Sequence, residues 1–416
     1  MALTDKLTAI ADAIRGKTGT TDGLTLDGMA EAVNGLEVGG GGFPNGTEWS
    51  YEKYNEADWL TTIVGSHLSG WLAFNTANTS GRVYRSDDGI TWAYSSLSSG
   101  SIGSAFYSDR LGLWFICAKN GIYYSTDRVE WTNAVSGTFT AIYHTFVEHN
   151  KYIYCFMNSN TTGGSYYSAD GVSWTKISDF THLTGITKRD GRLLGFKSQN
   201  VYYTDDGITW QTSKINNTYT GVLACGYDSG RYVARDSNNG IYYSDDGITW
   251  TLTDASGVAT YASVRNFRGV WIVVSWTAST TSVAKYSIDG INWNDLSFDN
   301  IYYSGSGSQC ECNGWLWFRT TNGVITSEDG INWNSIDDFS GKNVHEIMWD
   351  TGIYIASVTG GLYYSFDGST WTKSTTEVEM ASNYATSLIR TANTWCAVST
   401  KSPVGVFYSR TWAHST

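Results

Sequence analysis

Ser244-Asp245-Asp246-Gly247-Ile248-Thr249-Trp250 is a tight turn that ends on a tryptophan, and the chain repeats it. Near-identical copies stand at Ser86-Asp87-Asp88-Gly89-Ile90-Thr91-Trp92 and Thr204-Asp205-Asp206-Gly207-Ile208-Thr209-Trp210. Further copies end at Trp131, Trp174, Trp293, Trp333 and Trp371, at intervals of 36 to 43 residues, with Arg128 replacing Gly in the copy before Trp131. Two partial copies flank the series, Asn45-Gly46-Thr47-Glu48-Trp49 and Tyr408-Ser409-Arg410-Thr411-Trp412. A period near 40 residues means stacked small units, each burying its apolar faces against its neighbours.

Each unit holds four short β-favouring runs, read here as strands a to d. One unit comprises Ser101-Ile102-Gly103-Ser104-Ala105-Phe106-Tyr107, then Leu113-Trp114-Phe115-Ile116-Cys117-Ala118, Gly121-Ile122-Tyr123-Tyr124-Ser125, and Glu130-Trp131-Thr132-Asn133. Strand b is an unbroken apolar run, as in Gly70-Trp71-Leu72-Ala73-Phe74 and Gly269-Val270-Trp271-Ile272-Val273-Val274, which suits a strand covered on both faces. Strand c carries aromatic pairs such as Tyr166-Tyr167, Tyr202-Tyr203, Tyr242-Tyr243 and Tyr363-Tyr364. Between c and d, Gly supplies the positive φ and a short carboxylate accepts backbone N–H bonds of the turn. That structural role is expected of Asp88, Asp127, Asp170, Asp206, Asp246, Asp289, Asp329 and Asp367, with the following Trp opening strand d. Neither metal binding nor catalysis is expected of a residue repeated eight times.

Four strands per period, with no helical pattern to fill it, predict an all-β fold: a single β-propeller of about nine four-stranded blades, eight being the alternative. Trp49 is expected to lie in a strand d that closes the ring against Val404-Gly405-Val406-Phe407-Tyr408, leaving no exposed sheet edge. A chain of 416 residues with 45 Gly, 19 Trp, 28 Tyr and 2 Pro fits many short strands joined by tight turns.

The repeated turn resembles the Asp-box, or BNR-type, repeat of sialidase-like propellers, in which a structural hairpin joins strands c and d away from the ligand face. It departs from that box in having Gly directly after Asp. A sialidase would also need an Arg-Ile-Pro signature and arginines converging on a carboxylate. Pro44 and Pro403 stand in no such signature, and Arg82 and Arg85 fall in strand c. Sialidase catalysis is therefore not expected.

Residues 1–38 read differently. Leu7, Ile10, Ala11 and Ile14 mark one face of a helix capped by Thr4 and ended by Gly16, and a second short helix covers Asp27 to Asn34. Residues 39–43 form a Gly linker, and 44–416 the propeller. Too few apolar anchors occupy 1–38 for independent folding, so partners are expected. The phrase Leu7-Thr8-Ala9-Ile10-Ala11-Asp12-Ala13-Ile14-Arg15-Gly16-Lys17-Thr18-Gly19 with Leu24-Thr25-Leu26-Asp27-Gly28-Met29 resembles a short module of tail-fibre and baseplate-associated proteins from phages and prophages of Gram-positive bacteria. That resemblance implies attachment to other tail or baseplate proteins through 1–38, a homotrimer, and a virion tail protein assembled in the bacterial cytoplasm and acting outside the cell.

The net charge of −12 argues against nucleic acid, whose phosphates need clustered Lys and Arg. Met1 to Arg15 has no apolar h-region and no run of eighteen apolar residues occurs, so neither a cleaved secretion signal nor membrane insertion is expected. Cys117, Cys155, Cys225 and Cys396 fall in apolar strands, while Cys310 and Cys312 are too close for an easy disulfide and lack a second pair for zinc. No cofactor is expected.

With the repeated turns on one face, the b–c and d–a connections form the other. They are neutral and rich in amides and hydroxyls, as in Asn75–Ser80, Asn158–Thr162, Asp236–Asn239 and Thr277–Thr281. Phe180, Tyr219, Tyr261, Tyr302, Tyr303 and Tyr384 supply aromatic rings in the d–a loops. Amides and hydroxyls pair with sugar hydroxyls, and aromatic rings stack on the apolar faces of sugars. The expected function is an adhesin that recognises a bacterial cell-surface glycan, with several copies giving avidity. The alternatives are a glycan-cleaving enzyme, whose carboxylates would come from Glu56, Asp179, Asp254, Asp299, Asp337, Asp338, Glu346, Glu377 or Glu379, and a protein-binding scaffold propeller.

Overall fold

The computed structural model describes residues 44–53, 62–66, 69–74, 81–97, 100–137, 139, 144–157, 164–177, 183, 185–189, 191–216, 221–237, 240–255, 261–276, 283–296, 309–320, 323–350, 352–376, 385–390, 395–399 and 405–411. The expected helical module and Gly linker lie outside these residues.

Nine antiparallel sheets follow one another along the chain, so the expectation of nine blades holds and the alternative of eight does not. Blade 1 comprises strands 62–66, 70–74, 82–86 and 93–96, and blade 2 comprises 102–108, 113–118, 121–125 and 132–136. Blades 3 to 8 repeat the meander, with strands a beginning at His144, Gly185, Val222, Tyr261, Gln309 and Val344. Blade 9 takes strands a to c from 385–390, 395–399 and 405–411, and its strand d from the N-terminal side, 44–53. Ser50 to Lys53 pair antiparallel with Tyr408 to Gly405, which locks the two chain ends together. Thr375–Thr376 add a short parallel fifth strand beside Glu48 and Trp49, a feature the repeat pattern does not announce.

At most junctions strand a of one blade approaches strand a of the next, as 102–108 does 144–149 and 222–228 does 261–267, and 385–390 meets 62–66 where the ring closes, so the a strands form the inner ring. Their side chains are mostly half-buried, whereas strand b is fully buried, as in Gly70–Phe74 and Ile353–Val358. Burial on both faces is what an unbroken apolar run requires. Nine apolar clusters lie one at each blade interface, for example Leu72, Phe74, Val83, Ile102, Trp114 and Ile116 between blades 1 and 2, and Trp71, Tyr84, Ile389, Cys396 and Val406 at the closure.

The repeated tryptophans need one correction. Strand d begins at the following residue, Ala93 after Trp92 and Thr175 after Trp174, so the Trp ends the turn. At Trp92, Trp174, Trp333 and Trp371 the indole Nε1 donates back to the turn Gly carbonyl, at 2.9 Å to Gly89, 3.0 Å to Gly171, 3.2 Å to Gly330 and 3.1 Å to Gly368, whereas Trp293 donates to the Thr253 hydroxyl at 3.1 Å. The indole folds over the turn and packs into the cluster shared with the preceding blade. The six cysteines are free thiols; Cys117, Cys155 and Cys396 are buried, and Cys225, Cys310 and Cys312 are half-buried.

Candidate functional site

Meander topology places the a–b and c–d turns on one face of the ring and the b–c and d–a connections on the other. The two faces are built by different rules. Strand c ends at Ser86 and strand d begins at Ala93, and the same six-residue spacing separates Ser125 from Thr132, Ser168 from Thr175, Thr204 from Gln211, Ser244 from Thr251, Ser287 from Asn294, Ser327 from Asn334, and Ser365 from Thr372. The b–c connection instead ranges from two residues, 119–120, to seven, 75–81.

The constancy of the c–d turns has a hydrogen-bond origin. In blade 3, Asp170 Oδ1 accepts the N–H of Val172 and of Ser173, each at 2.8 Å, and the Ser168 hydroxyl at 3.0 Å, while Ser168 Oγ accepts the Gly171 N–H at 2.8 Å. The same pattern recurs with Asp88, Asp127, Asp206, Asp246, Asp289, Asp329 and Asp367. One carboxylate thus satisfies two N–H groups that the turn leaves unpaired. All eight carboxyls are held below the usual carboxylate range. At Asp170 the Ser173 and then the Val172 N–H bring it down to about 2.

Arginines join neighbouring turns across this face. Arg110 of blade 2 bonds Glu148 at 2.7 Å and the Ala169 carbonyl of blade 3 at 3.1 Å. Arg192 and Arg231 reach the Asp246 and Asp289 carbonyls of the next blades while pairing with Asp205 and Asp245 of their own. Arg128 is the exception in direction as in sequence. At φ +64° it reaches back to Asp87 and the Ser86 carbonyl of blade 1, where Gly70 leaves it room.

On the opposite face, Tyr261 is the first residue of strand a of blade 6 rather than a loop residue, and it is 52% exposed. Phe180, Tyr219, Tyr302, Tyr303 and Tyr384 lie outside the described residues. Asp236, read as a loop residue, is the buried last residue of strand b; it accepts the Gly240 N–H at 2.7 Å and the Tyr242 hydroxyl at 3.2 Å.

Four of the acidic residues that a glycosidase would draw on, Asp254, Asp337, Asp338 and Glu346, fall among the described residues. Asp254 lies in strand d of blade 5 and pairs with Lys285 at 3.3 Å. Asp338 sits in a short 3-10 turn, Asp337–Phe339, and accepts the Trp371 N–H at 2.7 Å. Glu346 lies in strand a of blade 8, where burial raises its carboxyl to about 7 against the Leu388 N–H, 2.6 Å away, and Arg319. Glu56, Asp179, Asp299, Glu377 and Glu379 are outside the described residues. No group of three or more His, Cys, Asp or Glu side chains able to hold a metal occurs among the described residues.

A concavity that the repeat pattern does not single out lies on the inner ring. It measures about 540 Å³ and is lined by Phe106, Tyr107, Asp109, Phe146, Val147, Glu148, Ile186 and Lys188 of blades 2 to 4. The signal available in the sequence was register. The second residue from the end of strand a is Tyr107 in blade 2 and Tyr227 in blade 5, but Glu148 and Lys188 in the blades between.

By its fold the chain is a nine-bladed β-propeller with a ring closed by strands from both chain ends. No protein-family model matches its sequence, and no curated protein does. Among solved structures it is similar to the computationally designed Ika8 protein, at 11% identity over 76% of this chain and 96% of that one, with a TM-score of 0.50. It is likewise similar to Sqt1 of Saccharomyces cerevisiae, at 10% identity over 88% and 98% of the two chains, TM-score 0.50. BamB from Moraxella catarrhalis follows at 9% identity over 88% and 97%, TM-score 0.44. At these identities the likeness concerns the fold alone.

Proposed function

We propose that the chain is a receptor-binding protein of a phage or prophage tail that recognises an uncharged bacterial cell-surface glycan without cleaving it. The contact is made by the face bearing the b–c and d–a connections. One observation carries this reading: the c–d turns keep one length and one hydrogen-bond set through eight blades, while the b–c connections on the opposite face vary from two to seven residues. A rigid ring that fixes one face and diversifies the other is the arrangement in which loops carry recognition. The amide, hydroxyl and aromatic composition of those loops, with Tyr261 exposed at their edge, matches sugar hydroxyls and ring faces. The resemblance of residues 1–38 to tail modules supplies the virion setting, the tail and baseplate partners, and a homotrimer that multiplies weak contacts.

The test is to incubate the full chain with purified cell-wall glycans from Gram-positive bacteria and record both retention and glycan chain length. Retention with unchanged length is expected. Shortened glycan would make the protein an enzyme, and absence of retention by every glycan would leave the protein-binding alternative in its place.

A further inference from the structure

The concavity on the inner ring points to a second site, distinct from the loop face: we infer that it binds a neutral disaccharide at the channel mouth bearing the a–b and c–d turns. Its walls are the last residues of three adjacent a strands, and Arg110 beside it bonds a c–d turn carbonyl, which fixes the mouth to which it belongs.

The hollow lies at two successive blades that lack the aromatic ring their flanking blades carry at one register of strand a. In blades 2 and 5 the second-last residue of strand a is a tyrosine laid on strand b, Tyr107 on Trp114 with ring centres 4.8 Å apart and Tyr227 on Tyr232 at 4.6 Å. Blades 3 and 4 carry Glu148 and Lys188 there, and these thin polar chains leave the inner edge open. Phe106 and Phe146 form an aromatic wall, nearly parallel with centres 6.1 Å apart, backed by Phe115.

The polar groups are mixed and balanced. Glu148 is held by Arg110 at 2.7 Å and by the Ser108 hydroxyl, while Asp109 and Lys188 are exposed and, among the described residues, not ion-paired. Two carboxylates and two cations sum to no net charge, so neither an anionic nor a cationic ligand is favoured. An aromatic wall beside one ammonium donor and two carboxylate acceptors fits a pyranose, which offers an apolar C–H face and a rim of hydroxyls needing both partners. A volume of about 540 Å³ is ordinary for a small-ligand pocket. An aromatic peptide side chain would use the wall but offer no hydroxyl to Asp109 or Lys188.

The full chain is titrated with maltose, cellobiose, lactose and N,N′-diacetylchitobiose by calorimetry, with hydrogen exchange to locate the complex. At least one disaccharide is expected to bind, with protection at 106–109, 146–148 and 186–188. Lys188→Tyr, which copies the filled blades, weakens binding by about tenfold or more without lowering the melting temperature. No binding at about 20 mM of any of the four, binding indifferent to Lys188→Tyr, or capture of a tryptophan-bearing peptide in their place overturns the inference. Retention of wall glycan without disaccharide binding refutes this pocket alone. Disaccharide binding without glycan retention refutes the loop-face reading alone.

Discussion

Gly207→Ala puts the blade-to-blade fit under direct test. Gly207 has φ +83°, and a Cβ there would overlap Tyr154 Oη and stand 2.8 Å from Tyr152 Cδ2 of the preceding blade. Tyr154 has no room to yield: it is fully buried, and its hydroxyl donates to the Gly207 carbonyl at 2.9 Å. Left-handed backbone costs an alanine roughly 1–2 kcal/mol, and displacing a packed ring adds roughly 1–3 kcal/mol. The lost freedom of the unfolded chain returns roughly 0.4–1 kcal/mol, leaving a net loss of roughly 1–5 kcal/mol. Equilibrium urea unfolding of the full chain followed by tryptophan fluorescence reads it. Arg128 shows why the matching position of blade 2 tolerates a side chain, since the facing residue in blade 1 is Gly70 and the arginine occupies the space a Cβ there would take. A Gly207→Ala protein as stable as the parent would refute the claim that the turn glycines serve close blade approach as well as turn geometry.

Three further outcomes follow from the same contacts. Asp170→Ala removes the acceptor for the Val172 and Ser173 N–H groups, and by analogy with a lost helix cap lowers stability by about 1 kcal/mol; Asp170→Asn, which keeps one oxygen acceptor, loses less in the same urea titration. Because the Asp170 carboxyl lies at about 2 in the folded protein, below its unfolded value near about 4, its stabilisation is complete above that unfolded value and is lost as pH falls through about 2. The other seven turn carboxyls shift in the same direction, so melting temperatures measured by circular dichroism should fall steeply in that acidic window. Glu346 has the opposite sign: burial raises it to about 7, so the folded state loses stability as pH rises from the ordinary carboxylate range to about 7. Glu346→Gln should flatten the melting profile between about pH 5 and 8, and an unchanged slope would remove Glu346 as its cause.

The fold was legible because its strongest constraint is local. A Ser or Thr, an Asp and a Gly at fixed spacing close a six-residue turn by themselves, and each Trp reports a blade interface. The ring closure was legible from Trp49, whose strand completes blade 9. What escaped depends on register between strands distant in sequence. Tyr261 looked like a loop residue because nothing local marks the start of a half-buried a strand. Asp236 looked like a turn residue because its partners, Gly240 and Tyr242, bond it only once strands b and c are aligned. The concavity of blades 2 to 4 requires comparing Tyr107, Glu148, Lys188 and Tyr227 at one register, which a blade-by-blade reading does not do. The candidate aromatics rested on composition, which names residue types without placing them together.

The division of labour between the two faces is tested most directly by hydrogen exchange of the full chain with and without a retained wall glycan. Protection should fall on the b–c and d–a connections, including 277–282 and 256–260, and leave the six-residue c–d turns unchanged. Protection confined to the c–d turns would contradict it, because the face held constant by the Asp carboxylates would then be the one that binds.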